Sequence, residues 1–97
     1  METILLNTIK ADLGITNTKH DTGIETAIEA AKIQMAMRGV RSISETDPTE
    51  VNCIELYCRY YFNFQGEADR FFQAWEFLAN AMAQSSEYGT VPEEAGP

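Results

Sequence analysis

One histidine, two cysteines and fifteen acidic side chains are the first places to look for chemistry in this 97-residue chain. The histidine, His20, stands beside Asp21, and a His–Asp pair is half of a proton relay. No recognised motif brings a Ser or Cys nucleophile to it. Its neighbours Thr16-Asn17-Thr18-Lys19 make a polar connecting loop, so a solvated loop histidine is the expectation. Cys53 and Cys58 are five positions apart, which on a helix turns them about 140° from each other. They cannot pair at that angle, and the spacing differs from the Cys-x-x-Cys of zinc and redox sites. They read as buried structural thiols of a reducing compartment. The carboxylates are scattered, with neither a Glu-x-x-His pair nor a calcium-binding Asp-x-Asp-x-Asp-Gly loop. The six glycines stand singly and form no phosphate-binding loop. The expectation is a chain with no catalytic residue, no cofactor and no metal.

Seven basic against fifteen acidic residues give a net charge of −8. Such a surface repels phosphate and disfavours binding nucleic acid through a basic groove. Tyr57, Tyr60 and Tyr61 have the types for a base-stacking platform but lack the basic rim that one needs. No apolar run approaches the roughly 20 residues of a membrane span, and no secretory signal opens the chain. A cytosolic protein, or one assembled from the cytosol, is expected.

Four helical segments and no strand are legible. The first runs from about Glu2 to Leu13, with Leu5, Leu6, Ile9 and Leu13 on one face and Gly14 as its stop. Asp21 is placed to cap the second, in which Ile24, Ala27, Ile28, Ala31 and Met35 share a narrow arc and Gly39 ends the pattern. Asp47-Pro48-Thr49-Glu50 then has the order of an N-cap, a first-turn proline and a capping-box glutamate, opening a third helix over about 48–65. Nine of the ten aromatic residues fall between Tyr57 and Phe77, and large aromatic areas dominate cores. Tyr57, Tyr60, Tyr61 and Phe64 span one arc of about 100° on the third helix, with Val51, Ile54, Cys58 and Phe62 on the adjoining arc. Glu55 and Arg59 form an i,i+4 pair on its polar strip. Gly66 breaks this helix. A fourth, from about Glu67 to Gln84, aligns Ala68, Phe71, Phe72, Trp75, Leu78, Ala79 and Met82.

The implied fold is a small all-α domain of four helices over residues 1–84, built around the aromatic-rich third helix. Ile28, Ile54, Tyr57, Tyr61, Phe71 and Trp75 are its expected core. Residues 85–97 read as a flexible acidic tail whose removal should leave stability unchanged. Three apolar residues fall off the core arcs: Ile33 and Met37, one turn apart on the second helix, and Phe77 on the fourth. Apolar groups clustered outside a small core favour a protein–protein contact.

The order of these features resembles the small head–tail connector, or head-completion, proteins of long-tailed bacteriophages, some of them described as DNA-packaging proteins. The resemblance rests on Ile9-Lys10-Ala11-Asp12-Leu13-Gly14-Ile15, on Asp21 with Ile24, Ile28, Ala30 and Ala31 before Gly39-Val40, and on the Asp47-Pro48 start. It continues through Ile54-Glu55-Leu56-Tyr57-Cys58-Arg59, Phe62, Phe64-Gln65-Gly66 and Phe71, covering roughly Ile4 to Met82. It implies an all-helical structural protein without an active site. Such a protein forms a homo-oligomeric ring beneath the capsid portal, extends the channel through which DNA passes, and offers a docking surface to the next tail-side protein. The location it implies is the portal vertex of the virion, assembled in the bacterial cytoplasm. Acidic channel walls would let the phosphate backbone pass without tight binding. Ile33, Met37 and Phe77 would then be subunit or portal contacts. An acidic helical regulatory adaptor or inhibitor, binding a single protein partner, is the alternative reading of the same residues.

Overall fold

The computed structural model describes residues 4–41 and 43–89. Four α-helices follow one another: α1 Ile4–Leu13, α2 Asp21–Met37, α3 Pro48–Tyr61 and α4 Ala68–Ala83, with a single 3-10 turn, Phe64–Gly66, before the last. The described residues contain no strand, so the all-α class is correct. Helix α3 is the centre of the domain. It packs most extensively on α4, then on α2, and also touches α1.

Each helix end has a chemical cause. Gly14 and Gly39 adopt positive φ (76° and 106°), and the N–H groups after α1 and α2 fold back in the same way. Gly14 and Ile15 donate to the carbonyls of Ala11 and Lys10, and Gly39 and Val40 to those of Ala36 and Met35. This double closure satisfies carbonyls that a helix end leaves open. At the start of α3, Asp47 caps as expected, its carboxylate accepting from Thr49 N–H at 3.1 Å and Glu50 N–H at 3.2 Å.

Three local expectations change. Asp21 is the first residue of α2 rather than its cap, and its carboxylate pairs with Lys10 Nζ at 2.7 Å, tying α2 to the end of α1. Glu50 does not close a capping box on Asp47. It accepts from Ser44 N–H, while Asp47 N–H donates to Ser44 Oγ at 3.2 Å. Helix α3 ends at Tyr61, four residues before Gln65, because Asn63 takes a left-handed conformation (φ 51°). Asn tolerates that conformation better than other non-glycine residues, and here it is also anchored. Its Oδ1 accepts from Ala68 N–H at 3.1 Å and so caps α4.

The core gathers Leu5, Leu6 and Ile9 of α1, Ile24, Ala27, Ile28, Ala31 and Met35 of α2, Cys53, Ile54, Tyr57 and Cys58 of α3, and Trp75, Ala79 and Met82 of α4. Ile28, Ile54, Tyr57, Phe71 and Trp75 are buried as expected. Tyr61 is not: it is 45% exposed. The helix stops at that residue, and its ring leans only on Tyr57 and Phe62 of its own segment. Phe62, expected on a buried arc, is likewise left open at the helix end.

The boundary expected at residue 84 also moves. Residues 85–89 turn back onto the segment between α2 and α3. Arg41 N–H donates to Tyr88 C=O at 2.9 Å, Tyr88 O–H donates to Asp47 Oδ2 at 3.1 Å, and Gly89 bridges Val40 in antiparallel fashion. Gly89 is buried, and a Cβ there would lie 1.9 Å from the carbonyl oxygen of Ala83. Only glycine allows that approach. The rest of the expected tail, residues 90–97, lies outside the described residues, as do residues 1–3 at the expected start of the first helix. Truncation after Gly89 should therefore leave the urea midpoint close to that of the full chain, whereas truncation after Ser85 should cost about 1–2 kcal/mol. That is the range for losing two or three partly exposed hydrogen bonds. Equal midpoints for the two truncations would show that the 85–89 segment adds nothing to the fold.

Candidate interaction surface

The apolar residues expected off the core arcs are exposed. Ile33 is 58% exposed, Met37 73% and Phe77 78%. Ile33 and Met37 stand one turn apart on α2, and a polar seam joins the residue after α2 to the α4 segment that carries Phe77. Arg38, next to Met37, reaches Glu76, next to Phe77, at 3.3 Å, and Asn80 at 3.2 Å. The Arg38 guanidinium also lies over the Trp75 ring, 5.0 Å from its centroid, so the seam is held by charge and by the aromatic face together. The seam ties the end of α2 to α4, a contact that sequence separation did not reveal.

At the far end of α2 lies a second apolar surface that sequence reasoning missed. Leu13, Ile15, His20, Phe62, Asn63, Phe64 and Gln65 line an open depression of about 310 Å³. It forms because α1 and α3 both end there and the chain turns through Asn63 and Gln65 with positive φ (51° and 56°). The adjacent aromatic groups are held from beneath. Phe64 faces Phe71 at 6.1 Å between centroids, and the Arg59 guanidinium sits 5.8 Å and 5.3 Å from the centroids of Phe64 and Phe71. Arg59 itself is held by two hydrogen bonds to the Asp12 carboxylate of α1, one of them from Nε at 2.8 Å. The expected pairing of Arg59 with Glu55 gives way to this contact between helices. A planar guanidinium matches a carboxylate with two parallel bonds, and Asp12 presents its carboxylate in that geometry.

The residues with catalytic chemistry are not brought together. His20 is exposed at the start of α2, and the adjacent Asp21 is engaged with Lys10. Cys53 and Cys58 are both fully buried free thiols. Burial pushes each up to about 12, with nearby carboxylates adding to the shift. A thiol at that value is neither a nucleophile nor a ready metal ligand at neutral pH. Among the described residues, no group of three or more His, Cys, Asp and Glu could hold a metal ion, and no helix is long and apolar enough to cross a membrane. The tyrosines are not a stacking platform either. Tyr57 is buried edge-on to Trp75, with centroids 5.2 Å apart, and Tyr60 packs on Phe72 at 4.9 Å.

Basic side chains are largely neutralised. Lys10, Lys32, Arg38, Arg59 and Arg70 each pair with a carboxylate. Among the described residues only Lys19 and Arg41 do not, and Arg41 donates instead to Ser86 C=O. These pairs consume carboxylates as well as cations, so the acidic excess of the sequence, a net charge of −8, remains.

One carboxylate is buried. Glu50 is 3% exposed, and burial raises its pKa above the ordinary 4.5, opposed by the Ser44 N–H bond and reinforced by Asp47. A carboxyl with a raised folded-state pKa stabilises the fold fully below its unfolded value, and the contribution is lost as pH rises through the folded value. Near neutral pH, Glu50 is thus a net burden. Glu50→Gln retains an acceptor for Ser44 N–H without the charge. It should melt above the wild type at pH 7, and the gap should shrink as pH falls from the raised folded value to below the ordinary 4.5, where both side chains are neutral. A gap that is constant with pH would show that the Glu50 pKa is the same in the folded and unfolded chain.

Comparison of the chain with protein-family models, with curated proteins and with solved structures finds no match in any of the three.

Proposed function

We propose that this chain is the structural subunit of a phage head–tail connector, forming a ring beneath the portal, extending the DNA channel and presenting a docking surface to the tail-side completion protein. The observation that carries the reading is the exposure of Ile33, Met37 and Phe77 on a domain with a separate buried core. A free domain of this size gains nothing from three large apolar groups in water, whereas a subunit buries them in its assembly. The resemblance in residue order from Ile4 to Met82 supports the choice of assembly. The net charge of −8 supports a surface past which DNA moves without being held. The site of action would be the portal vertex of the virion. No catalytic role is proposed for His20 or either cysteine.

The test is direct. The purified chain, mixed with the portal protein of the genome that encodes it, should yield a stacked two-ring particle in electron micrographs. Removing its gene should leave filled heads without tails. No association with portal, together with a stable one-to-one complex with some other protein, would identify the acidic adaptor or inhibitor instead.

A further inference from the structure

We infer that residues 85–89 form a strap that opens without unfolding the helices, latched shut by Tyr88 on the carboxylate that caps α3. Beyond the end of α4, its contacts fall on the connection between α2 and α3. Arg41 N–H donates to Tyr88 C=O at 2.9 Å, and the Arg41 guanidinium donates to Ser86 C=O at 3.2 Å. Tyr88 O–H donates to Asp47 Oδ2 at 3.1 Å, and Gly89 bridges Val40. The buried apolar cluster contains no residue of the strap, and Tyr88 only packs against it from outside. A segment held by a few partly exposed hydrogen bonds, outside the core, opens locally while the rest of the fold stays closed.

Both sides of the contact are held without each other. Within the strap, Gly89 N–H donates to Ser85 C=O at 2.8 Å and Glu87 N–H to Ser85 Oγ at 2.9 Å. These bonds survive when the turn swings about Ser85, where α4 has already ended. Beneath it, Val40 N–H donates to Met35 C=O at 3.0 Å, Ser44 N–H donates to the Glu50 carboxylate, and Lys32 pairs with Glu45. The connection therefore keeps its place when the strap leaves, and opening uncovers the Arg41 N–H and guanidinium together. The latch is a shared atom. Asp47 Oδ2 accepts from Thr49 N–H, Glu50 N–H and Tyr88 O–H at 3.1, 3.2 and 3.1 Å. The charge that starts α3 thus also holds the strap, and hydrogen bonds to a charged acceptor are the stronger kind. Gly89 sets the closed position, because a Cβ there would lie 1.9 Å from the Ala83 carbonyl oxygen. A side chain at that position is incompatible with the closed turn.

Amide hydrogen exchange of the full chain, read residue by residue by NMR, tests this. Arg41 is exposed, so protection of its N–H reports the bond to Tyr88 C=O. In the wild type that N–H should be slowed about 5–30-fold, the ratio that a few such bonds sustain. The N–H groups of Tyr57 and Ala79, inside α3 and α4, should be slowed about 10³-fold or more. Equal protection at Arg41 and Tyr57 would show that the strap opens only with the whole domain, and no protection at Arg41 that it is not closed at rest. Either result overturns the strap. Gly89→Ala should abolish most of the Arg41 protection while Tyr57 and Ala79 keep theirs; a matching loss at all three would make the strap part of the core instead. Tyr88→Phe, which keeps the ring and the backbone, should lower Arg41 protection about threefold or more. Asp47→Ser retains a capping oxygen too short to reach Tyr88, and should do the same with Glu50 N–H still protected. Arg41 protection unchanged by either substitution would remove Asp47 as the latch.

Discussion

Trp75→Ala should remove about 3–5 kcal/mol of stability, the range for truncating a fully buried large aromatic. Trp75 is 0% exposed and joins three elements. Its ring meets Tyr57 of α3 at 5.2 Å and Phe72 of α4 at 5.6 Å between centroids, and the Arg38 guanidinium of α2 covers it at 5.0 Å. The hole left by alanine would therefore open between α3 and α4, the most extensive packing in the domain, and would take away the ring on which the Arg38 guanidinium rests. Domains of this size are stable by only about 5–15 kcal/mol, so the variant should unfold at a much lower urea concentration, followed by circular dichroism because the sole tryptophan is gone. Trp75→Phe should lose far less. It keeps most of the ring, and it removes a buried indole N–H that has no hydrogen-bond partner, a group that costs roughly 1–3 kcal/mol to bury. A loss below about 1 kcal/mol for the alanine variant would contradict the buried position.

Arg59→Ala should cost about 2–3 kcal/mol, the upper part of the range for hydrogen bonds to charged groups. The pair with Asp12 is only partly exposed (29% and 17%), so water screens it less than an ordinary surface bridge. Its loss would leave Asp12 unpaired, next to Glu55, whose pKa is already raised by burial and by that same carboxylate. It would also uncover the Phe64 and Phe71 rings. Arg59→Lys should recover little, because an ammonium cannot make both bonds to the carboxylate while lying flat over two rings. In a double-substitution cycle with Asp12→Asn, a coupling near zero would show that the bridge contributes nothing and that any loss comes from ring packing.

The helices were legible from the sequence because their causes are local. Periodic apolar positions, Gly14, Gly39 and the Asp47-Pro48 start each act within one or two turns, and the structure places α1 to α4 accordingly. The exposure of Ile33, Met37 and Phe77 was legible for the same reason, since an angle around a helix follows from residue number. What failed was whatever depended on a distant partner. Tyr61 has the angle of a core residue, but burial needs a neighbour as well as a direction, and α3 ends there. Glu50 and Arg59 had local partners in Asp47 N–H and Glu55, and tertiary neighbours in Ser44 and Asp12 outcompeted them. Residues 85–89 carry no helical period, yet Tyr88, the one aromatic outside the central window, marked a segment with something to bury. Whether an isolated tyrosine and glycine fold back is decided by the surface they find, here Asp47, Arg41 and the Ala83 carbonyl. The sequence by itself determined the four helices and the side chains left off their core arcs. Only the tertiary structure decided that Arg38 ties the end of α2 to α4 and that a depression opens where α1 and α3 end, because both depend on how helix ends meet across the chain.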